Sequence, residues 1–336
     1  MLLKKIKKKT STLVRQYYYS IWPDMNLLEE LKGLKSLAVE TSNICNANCI
    51  FCGYQYMKRK KQVMNDDIYK KAINDFTASG GGTLSLTVVV GDPLLDPQFV
   101  ERVKYARSFP VIKKISTITN CLNLHNVGSR ALLTSGIDEI GISTAAFDPD
   151  MYRAVFRNNM YEQMKQNVLD LLRTNNELGR PVKILVALRI NKPIDEVIDS
   201  GGFNEVVALA DSVDANHYFD SWGGRIKTED LTGNMKIRPL AMSHLMIKKN
   251  PCSMMYFGLG VLADGTVTVC PCRDLDADSD LCIGNINNSS LRELNYSERL
   301  DALRKEWLAG AYIPDICRDC SHYTPYTYMM LSEIRK

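Results

Sequence analysis

From Leu34 onward, short apolar runs alternate with stretches whose apolar residues recur at three- and four-residue spacing. The short runs predict strands, and the longer stretches predict amphipathic helices. Strands are expected at residues 36–40, 83–90, 115–119, 139–143, 182–190 and 215–219, and helices at 66–76, 98–107, 127–134 and 161–178. This alternation indicates a parallel sheet, either an open doubly wound layer or a full or partial barrel.

The alternation ends after about Trp222. Residues 256–262 and 266–270 flank the pair Asp264-Gly265, which predicts a two-strand hairpin, and a helical segment follows at about 291–308. Three parts are therefore expected: a helix-prone N-terminal extension at 1–33, an α/β domain at 34–225 and a small α+β domain at 226–336.

Composition narrows the class of protein. The 336 residues include 45% apolar and 24% charged residues and carry a formal net charge of +4, values typical of a folded globular protein. Lysines near the N-terminus contribute to this charge, but no basic and aromatic pattern continues downstream, so no nucleic-acid partner is expected. No segment is long and apolar enough for a signal peptide or a membrane span, and we expect a cytoplasmic protein.

The chain has ten cysteines, and a reducing cytoplasm makes a disulfide framework improbable. Metal ligation is the better interpretation, because three cysteines lie within residues 45–52 and six lie after residue 250. Cys45, Cys49 and Cys52 follow the first predicted strand, and the carboxyl end of a parallel sheet is where α/β folds build their sites. A cubane cluster with three thiolate ligands keeps one iron open to a small molecule. The alternative, structural zinc, needs a fourth ligand, and none lies nearby in sequence.

The motif Cys45-x3-Cys49-x2-Cys52, with Phe51 before its last cysteine, resembles the signature of the radical S-adenosylmethionine (SAM) superfamily. The resemblance implies a partial (β/α)6 TIM-type barrel and a [4Fe–4S] cluster on these three cysteines. It also implies that SAM binds the open iron and is cleaved reductively to a 5′-deoxyadenosyl radical, which abstracts a hydrogen atom from substrate. An electron donor such as flavodoxin or ferredoxin would then be a partner.

Further positions match the family at the ends of later strands. Val90-Gly91-Asp92-Pro93 resembles a Gly-Gly-Glu-Pro motif that binds the SAM amino group, and Thr119-Asn120-Cys121 resembles Thr-Asn-Gly. A plain turn is the alternative for the first motif. Arg189 ends the fifth predicted strand, and a structural ion pair is the alternative to a cofactor-binding role for this residue. The resemblance implies these cofactor-binding residues: Phe51, Tyr54, Gly91, Asp92, Pro93, Asn120, Ser143 and Arg189.

The C-terminal cysteines resemble the auxiliary-cluster modules called SPASM and twitch. The matching positions are Cys252-x12-Gly265-x4-Cys270 and Cys317-x2-Cys320, which imply one auxiliary [4Fe–4S] cluster on Cys252, Cys270, Cys317 and Cys320. Cys272 and Cys282 are not assigned to this set. Two alternatives stay open for each of them: it replaces one of the four cluster ligands, or it is a plain buried thiol. Structural zinc on the same thiolates is the alternative to a cluster.

Three residues are candidates for catalysis beyond the cofactors. Cys121 is a candidate hydrogen-atom donor, as in family epimerases, with a buried bystander thiol as the alternative. His217 and Asp220 follow the sixth predicted strand, where one of them could remove a substrate proton. A lone histidine near a strand end is also commonly structural.

The resemblance leaves the substrate open among three hypotheses. The first is oxidation, epimerisation or deoxygenation of a sugar or aminocyclitol. The second is maturation of a ribosomally made peptide, although such maturases often carry an N-terminal leader-binding domain and only about 33 residues precede the first predicted strand. The third is an iron–sulfur electron-transfer or sensing protein that does not cleave SAM.

Overall fold

A nine-stranded sheet forms the centre of the molecule. The computed structural model describes residues 33–87, 89–198, 203–238, 248, 250–318, 320, 322–323 and 325–326, so the predicted N-terminal extension lies outside the described residues except for Gly33. Six strands pair in parallel in chain order: β1 (Ser36–Val39), β2 (Gly82–Ser85), β3 (Ile112–Thr119), β4 (Glu139–Thr144), β5 (Lys183–Arg189) and β6 (Ser212–Asn216). The predicted parallel sheet is confirmed.

The second strand is shorter than its apolar run predicted. After β2, the side-chain hydroxyl of Thr87 accepts a hydrogen bond from the backbone N–H of Ile118 at 2.8 Å, in the place of a strand-to-strand bond. Val89 and Val90 turn away into a small apolar cluster with Leu262 and Leu275. This apolar run therefore contributes to the contact between the barrel and the C-terminal domain.

Helices connect the parallel strands: α1 (Asp66–Ala78), α2 (Phe99–Arg107), α3 (Leu124–Val127), α4 (Ser129–Leu133), α5 (Pro149–Phe156), α6 (Tyr161–Glu177), α7 (Ile194–Ile198) and α8 (Phe203–Leu209). The sequence analysis did not predict α5, although Asp148 caps it by accepting from two backbone N–H groups and Pro149 occupies its first turn. Two short strands after β6, β7 (Tyr218–Phe219) and β8 (Lys236–Ile237), pair with each other.

The two faces of the parallel strands differ in polarity. Residues such as Ile115, Ile140 and Ile184 are wholly buried on the face that packs against helices. The strand registers place the residues between them together on the opposite, concave face, where many are small or carry hydroxyl groups: Ala38, Ser85, Ser116, Gly141, Ser143 and Ala187. This face therefore carries small side chains and serine hydroxyls together with the apolar Ile118 and Leu185.

The C-terminal domain extends the same sheet. Its elements are α9 (Met254–Phe257), β9 (Gly258–Val261), β10 (Thr266–Thr268), β11 (Cys282–Asn285), α10 (Leu291–Asn295), α11 (Glu298–Leu308) and α12 (Asp315–Arg318). The predicted hairpin is present as β9 and β10, and β11 continues it in antiparallel fashion. β9 also pairs in parallel with β1, with Ser36 opposite Gly258, so the two domains share one hydrogen-bonded sheet.

The helices that lie in the described part of the chain include none with both the length and the apolar character of a membrane span.

Candidate active site

The three-cysteine loop leaves the carboxyl end of β1 and is held by its own polar contacts. The hydroxyl of Tyr54 accepts from the backbone N–H of Cys45 at 3.1 Å and lies 3.3 Å from the carbonyl of the same residue. The sulfur of Cys52 accepts from the Tyr54 backbone N–H at 3.4 Å. Phe51 stacks on Phe219 with ring centroids 4.9 Å apart. Both predicted aromatic residues, Phe51 and Tyr54, thus fix the shape of this loop.

The chemistry of these thiols fits a cationic cofactor. Burial, reinforced by the charge of Asp92, raises the pKa of Cys45 to about 12, and burial also raises the pKa values of Cys49 and Cys52. The thiols therefore retain their protons at neutral pH unless positive charge compensates them, which an iron–sulfur cluster does. Within the described ranges, no group of three His, Cys, Asp or Glu side chains is arranged around a single metal ion.

The Gly91-Asp92-Pro93 segment is seated directly on the start of the cysteine loop. Gly91 has a φ of +107°, and a Cβ atom there would lie 2.4 Å from the carbonyl oxygen of Ser42. The backbone N–H of Asp92 donates to the carbonyl of Ile44 at 2.7 Å, and Pro93 begins a short 3-10 helix. Only glycine allows this close approach at position 91.

The Asp92 carboxylate is 2% exposed and accepts three kinds of hydrogen bond from its own chain. Its donors are the backbone N–H of Leu94 at 3.0 Å, the hydroxyl of Thr119 at 3.0 Å and the backbone N–H of Asn120 at 2.7 Å. Burial raises the pKa of this carboxyl, and the hydrogen bonds oppose the rise. Asp92 therefore joins the loop after β2 to the end of β3.

Asn120 and Cys121 follow β3 but have different surroundings. The side-chain amide of Asn120 donates to Asn46 at 2.9 Å and lies 3.8 Å from the sulfur of Cys45. Cys121 is wholly buried with a φ of +62°, and burial raises the pKa of its thiol. The structure thus places Asn120 at the cysteine loop and Cys121 in the hydrophobic core.

Ser143 and Arg189 end adjacent strands and meet on the concave face. The Arg189 Nε donates to the Ser143 hydroxyl at 3.3 Å, and the guanidinium lies 5.8 Å from the centroid of the Phe51 ring. Burial lowers the pKa of Arg189. The positive charge of Arg189 opposes the rise that burial causes in the pKa values of Cys49 and Cys52. Two residues from distant parts of the sequence are therefore brought to the cysteine loop.

The C-terminal cysteines form a second group, in which Cys272 joins the four predicted ligands. Burial raises the pKa values of Cys272 and Cys317. Neighbouring cysteines add to the rise, Cys252 and Cys320 for Cys272, and Cys270, Cys252 and Cys320 for Cys317. Burial raises the pKa of Cys270 to about 12. Cys282 is in a different environment, because its sulfur donates to the Asp274 carboxylate at 3.3 Å.

Asp220 connects the barrel to this second group. Its carboxylate lies 3.0 Å from the Nε of Arg273 and accepts from the backbone N–H of Trp222 at 2.6 Å. The Arg273 guanidinium lies 4.6 Å from the Trp222 ring centroid, and the Trp222 indole N–H donates to the carbonyl of Phe51 at 3.0 Å. The positive charge of Arg273 opposes the rise that burial causes in the pKa values of Cys52 and Cys320. A continuous set of contacts therefore runs from the first cysteine loop to the second group.

The sequence analysis did not assign a functional role to Arg273 or Trp222. The available signals were their positions, since Arg273 directly follows Cys272 and Trp222 follows the last predicted barrel strand. The predicted base His217 lies at the end of β6, where its ring is 4.3 Å from that of Tyr218. Its backbone carbonyl accepts from Lys236 at 2.8 Å.

The parallel partial barrel and its buried three-cysteine loop define an iron–sulfur protein of the α/β class. A family model described as "Radical SAM superfamily" matches residues 39–200, and one described as "Iron-sulfur cluster-binding domain", SPASM, matches residues 252–321. The chain therefore carries a radical SAM domain and a C-terminal SPASM domain. Both models imply the predicted cofactors: SAM, a [4Fe–4S] cluster and an auxiliary cluster.

Curated relatives match only part of the chain. A GTP 3′,8-cyclase of Listeria welshimeri is 26% identical over 170 residues, which are 48% of this chain and 48% of the relative. A GTP 3′,8-cyclase of Lactiplantibacillus plantarum is 28% identical over 160 residues, 46% of each chain. The chain thus spans about half the length of the curated relatives it matches.

Solved structures share the fold over most of the chain. BtrN in complex with AdoMet and 2-DOIA has a TM-score of 0.53 and 16% identity, covering 85% of this chain and 92% of that chain. Streptococcus suis SuiB bound to precursor peptide SuiA has a TM-score of 0.59 and 13% identity, covering 92% and 75%. The protein anSMEcpe with bound AdoMet has a TM-score of 0.55 and 15% identity, covering 89% and 94%. These similarities confirm the partial-barrel fold.

Proposed function

We propose that this radical SAM enzyme oxidises, epimerises or deoxygenates a polar small molecule of the sugar or aminocyclitol class. The proposal rests on the concave face of the barrel. Serine hydroxyls and small residues lie on this face, and Ser143 and Arg189 lie near the carboxyl ends of its strands. Hydroxyl groups on this face provide hydrogen-bond donors and acceptors for a hydroxylated substrate.

The far end of this face is also polar. Glu139 at the start of β4 accepts from Lys114 at 3.1 Å and from Lys183 at 3.3 Å. Burial alone would raise the pKa of Glu139, but the hydrogen bonds and charges of the two lysines lower it overall.

The residues of the first site divide the work of binding SAM. Cys45, Cys49 and Cys52 would hold the first cluster, which supplies one electron for reductive cleavage of SAM when bound. Arg189 can bond a carboxylate with its planar guanidinium, and Ser143 and Asn120 present hydrogen-bonding groups on the same side. Gly91 and Pro93 shape the loop that would receive the SAM amino group. The three donors already on Asp92 make its part chiefly one of orienting Asn120.

In the second group, Cys252, Cys270, Cys317 and Cys320 would hold the auxiliary cluster. Four thiolate ligands saturate a cluster, so its chemistry would be the acceptance of an electron or support of the pocket. His217 is the proposed base that removes a substrate proton. Cys121 stays a predicted hydrogen-atom donor, but its complete burial favours the alternative of a bystander thiol. Asp220 is a weaker candidate base, since Arg273 already pairs with its carboxylate. A cytoplasmic location and a flavodoxin or ferredoxin donor also stay predictions.

The test is anaerobic reconstitution followed by reduction and addition of SAM, with 5′-deoxyadenosine measured by chromatography. We expect slow release with SAM alone and faster release with aminocyclitols or sugars, together with transfer of deuterium from labelled substrate. The variant Cys49→Ala, which removes one thiolate, should release none. Absence of 5′-deoxyadenosine in the reconstituted protein would favour the electron-transfer hypothesis.

The substrate class is decided by a panel that also contains GTP and synthetic precursor peptides. GTP enters because the partial relatives are named as cyclases of that nucleotide, and peptides enter because SuiB shares the fold. Stimulation by a peptide, but by no sugar or cyclitol, would replace the proposal with the maturase hypothesis.

His217→Ala should abolish turnover of the stimulating substrate while release of 5′-deoxyadenosine with SAM alone continues, because the base acts after SAM cleavage. Unchanged turnover would reject His217 as the base.

A further inference from the structure

Lys248 is a buried lysine whose amine contacts the turn between two proposed cluster ligands. Lys248 as a whole is only 8% exposed. The Nζ donates to the carbonyl oxygens of Cys317 at 2.6 Å, Arg318 at 2.8 Å and Cys320 at 3.1 Å. An ammonium has three donors, and three carbonyl dipoles here replace the water that it loses on burial.

The surrounding residues fix this lysine. Its backbone carbonyl accepts from the indole N–H of Trp307 at 2.7 Å, and its Nζ lies 5.3 Å from the centroid of the Tyr323 ring. The Tyr323 hydroxyl donates to the carbonyl of Asn250 at 2.7 Å, and the Trp307 and Tyr323 rings stack at 6.2 Å. Trp307 is itself wholly buried in α11. The amine therefore has one position, set by packing on several sides.

We propose that Lys248 is a positioning residue of the auxiliary cluster: it holds the Cys317-x2-Cys320 turn and places a fixed positive charge beside these two thiolates. The proposal rests on the proposed ligation of that cluster. Three bonds to one turn restrict its backbone, so both sulfurs are presented in one arrangement. A nearby cation stabilises the more negative, reduced state of a cluster, and cluster potentials respond to charge and hydrogen bonding around them. Lys248 thus makes the auxiliary cluster a better electron acceptor.

The charge and the hydrogen bonds can be separated by substitution. Lys248→Arg keeps the charge and several donors, Lys248→Gln keeps two donors without the charge, and Lys248→Met keeps the length of the side chain but neither property. Lys305→Met is the matched control, since Lys305 is an exposed lysine of α11 in the same domain. Each change is made in the full chain with Cys45, Cys49 and Cys52 replaced by alanine, so that only the auxiliary cluster gives a signal.

The readouts are bound iron and sulfide and the midpoint potential from an EPR-monitored redox titration. We expect Lys248→Gln to shift the ratio of reduced to oxidised cluster at a given potential at least tenfold toward oxidised, which is about 59 mV for a one-electron couple. Lys248→Arg should stay within about twofold of the parent, and so should Lys305→Met. Lys248→Met should show the same shift and a lower iron content.

Full iron content with unchanged potential in both neutral variants would overturn the proposal, and so would an equal shift in Lys305→Met. Loss of the cluster from both neutral variants, with retention in Lys248→Arg, would support it, because the charge would then be needed for assembly. If the parent with Lys248 intact binds no iron–sulfur cluster, it is the proposed auxiliary-cluster site that fails.

Discussion

Cys121 adopts a backbone conformation that favours glycine, with a φ of +62°. Left-handed geometry costs a residue with a Cβ about 1–2 kcal/mol. We therefore expect Cys121→Gly to be more stable than Cys121→Ala by about 1 kcal/mol, because both remove the thiol but only glycine removes the strain. Chemical denaturation of the two variants measures the difference. An alanine variant as stable as the glycine variant would show that position 121 is not strained.

Asp92 makes a second prediction at the scale of one residue. Asp92→Ala leaves the backbone N–H groups of Leu94 and Asn120 without their buried acceptor. Each such group costs about 1–3 kcal/mol, so the free energy of unfolding should fall by about 2–6 kcal/mol. The KM for SAM should rise as well, because Asn120 loses its orientation. Asp67→Ala, at an exposed position of α1, should change stability by less than about 0.5 kcal/mol. Equal effects of both variants would contradict this role.

Among the elements, a buried ion pair joins the cysteine loop to the C-terminal domain. Arg59 contacts both carboxylate oxygens of Glu40, at 2.7 and 2.8 Å, and donates to the carbonyl of Leu275 at 2.9 Å. The backbone N–H of Ala263 donates to Glu40 at 3.2 Å. The end of β1, the segment after the cysteines and the hairpin turn are thus held together by one pair of side chains.

Arg59→Met should lower the unfolding free energy by about 3–5 kcal/mol, because it leaves the charge of Glu40 buried and unpaired. Combining it with Glu40→Gln should recover part of this loss. Chemical denaturation provides the comparison, with the exposed pair Lys104 and Glu101 as control, where Lys104→Met should cost no more than about 1 kcal/mol. A double variant no more stable than Arg59→Met alone would contradict the explanation.

The same elements show how far sequence could predict this structure. The strands β3, β4 and β5 were predicted to within about three residues, because apolar side chains recur along each of them. The cysteine loop could be predicted from a local motif, and the places of Ser143 and Arg189 at strand ends from the apolar runs before them. The hydrogen bond between Ser143 and Arg189 was not predicted. The partners of Asp220 and Lys248 did not, because Arg273 and the Cys317–Cys320 turn lie far along the chain and leave no local pattern.

At the scale of the whole molecule, the shared sheet predicts cooperative unfolding. β9 is hydrogen-bonded to β1, and Trp222 packs between the cysteine loop and the C-terminal domain. We expect one denaturation transition, with the same midpoint for tryptophan fluorescence and for far-ultraviolet circular dichroism. Two separated midpoints would show that the domains unfold independently. Gly258→Val should lower both midpoints together, since its added side chain would meet Ser36 of β1.

The pairing of β1 with β9 also bears on how the newborn protein matures. Ser36 reaches its neighbour Gly258 only after most of the polypeptide has left the ribosome. Until then one side of β1 offers unpaired backbone groups, and the thiols just beyond it have no cover from the later segment. During translation the cluster site is therefore incomplete. We expect iron–sulfur cluster insertion to follow synthesis of the segment that contains β9.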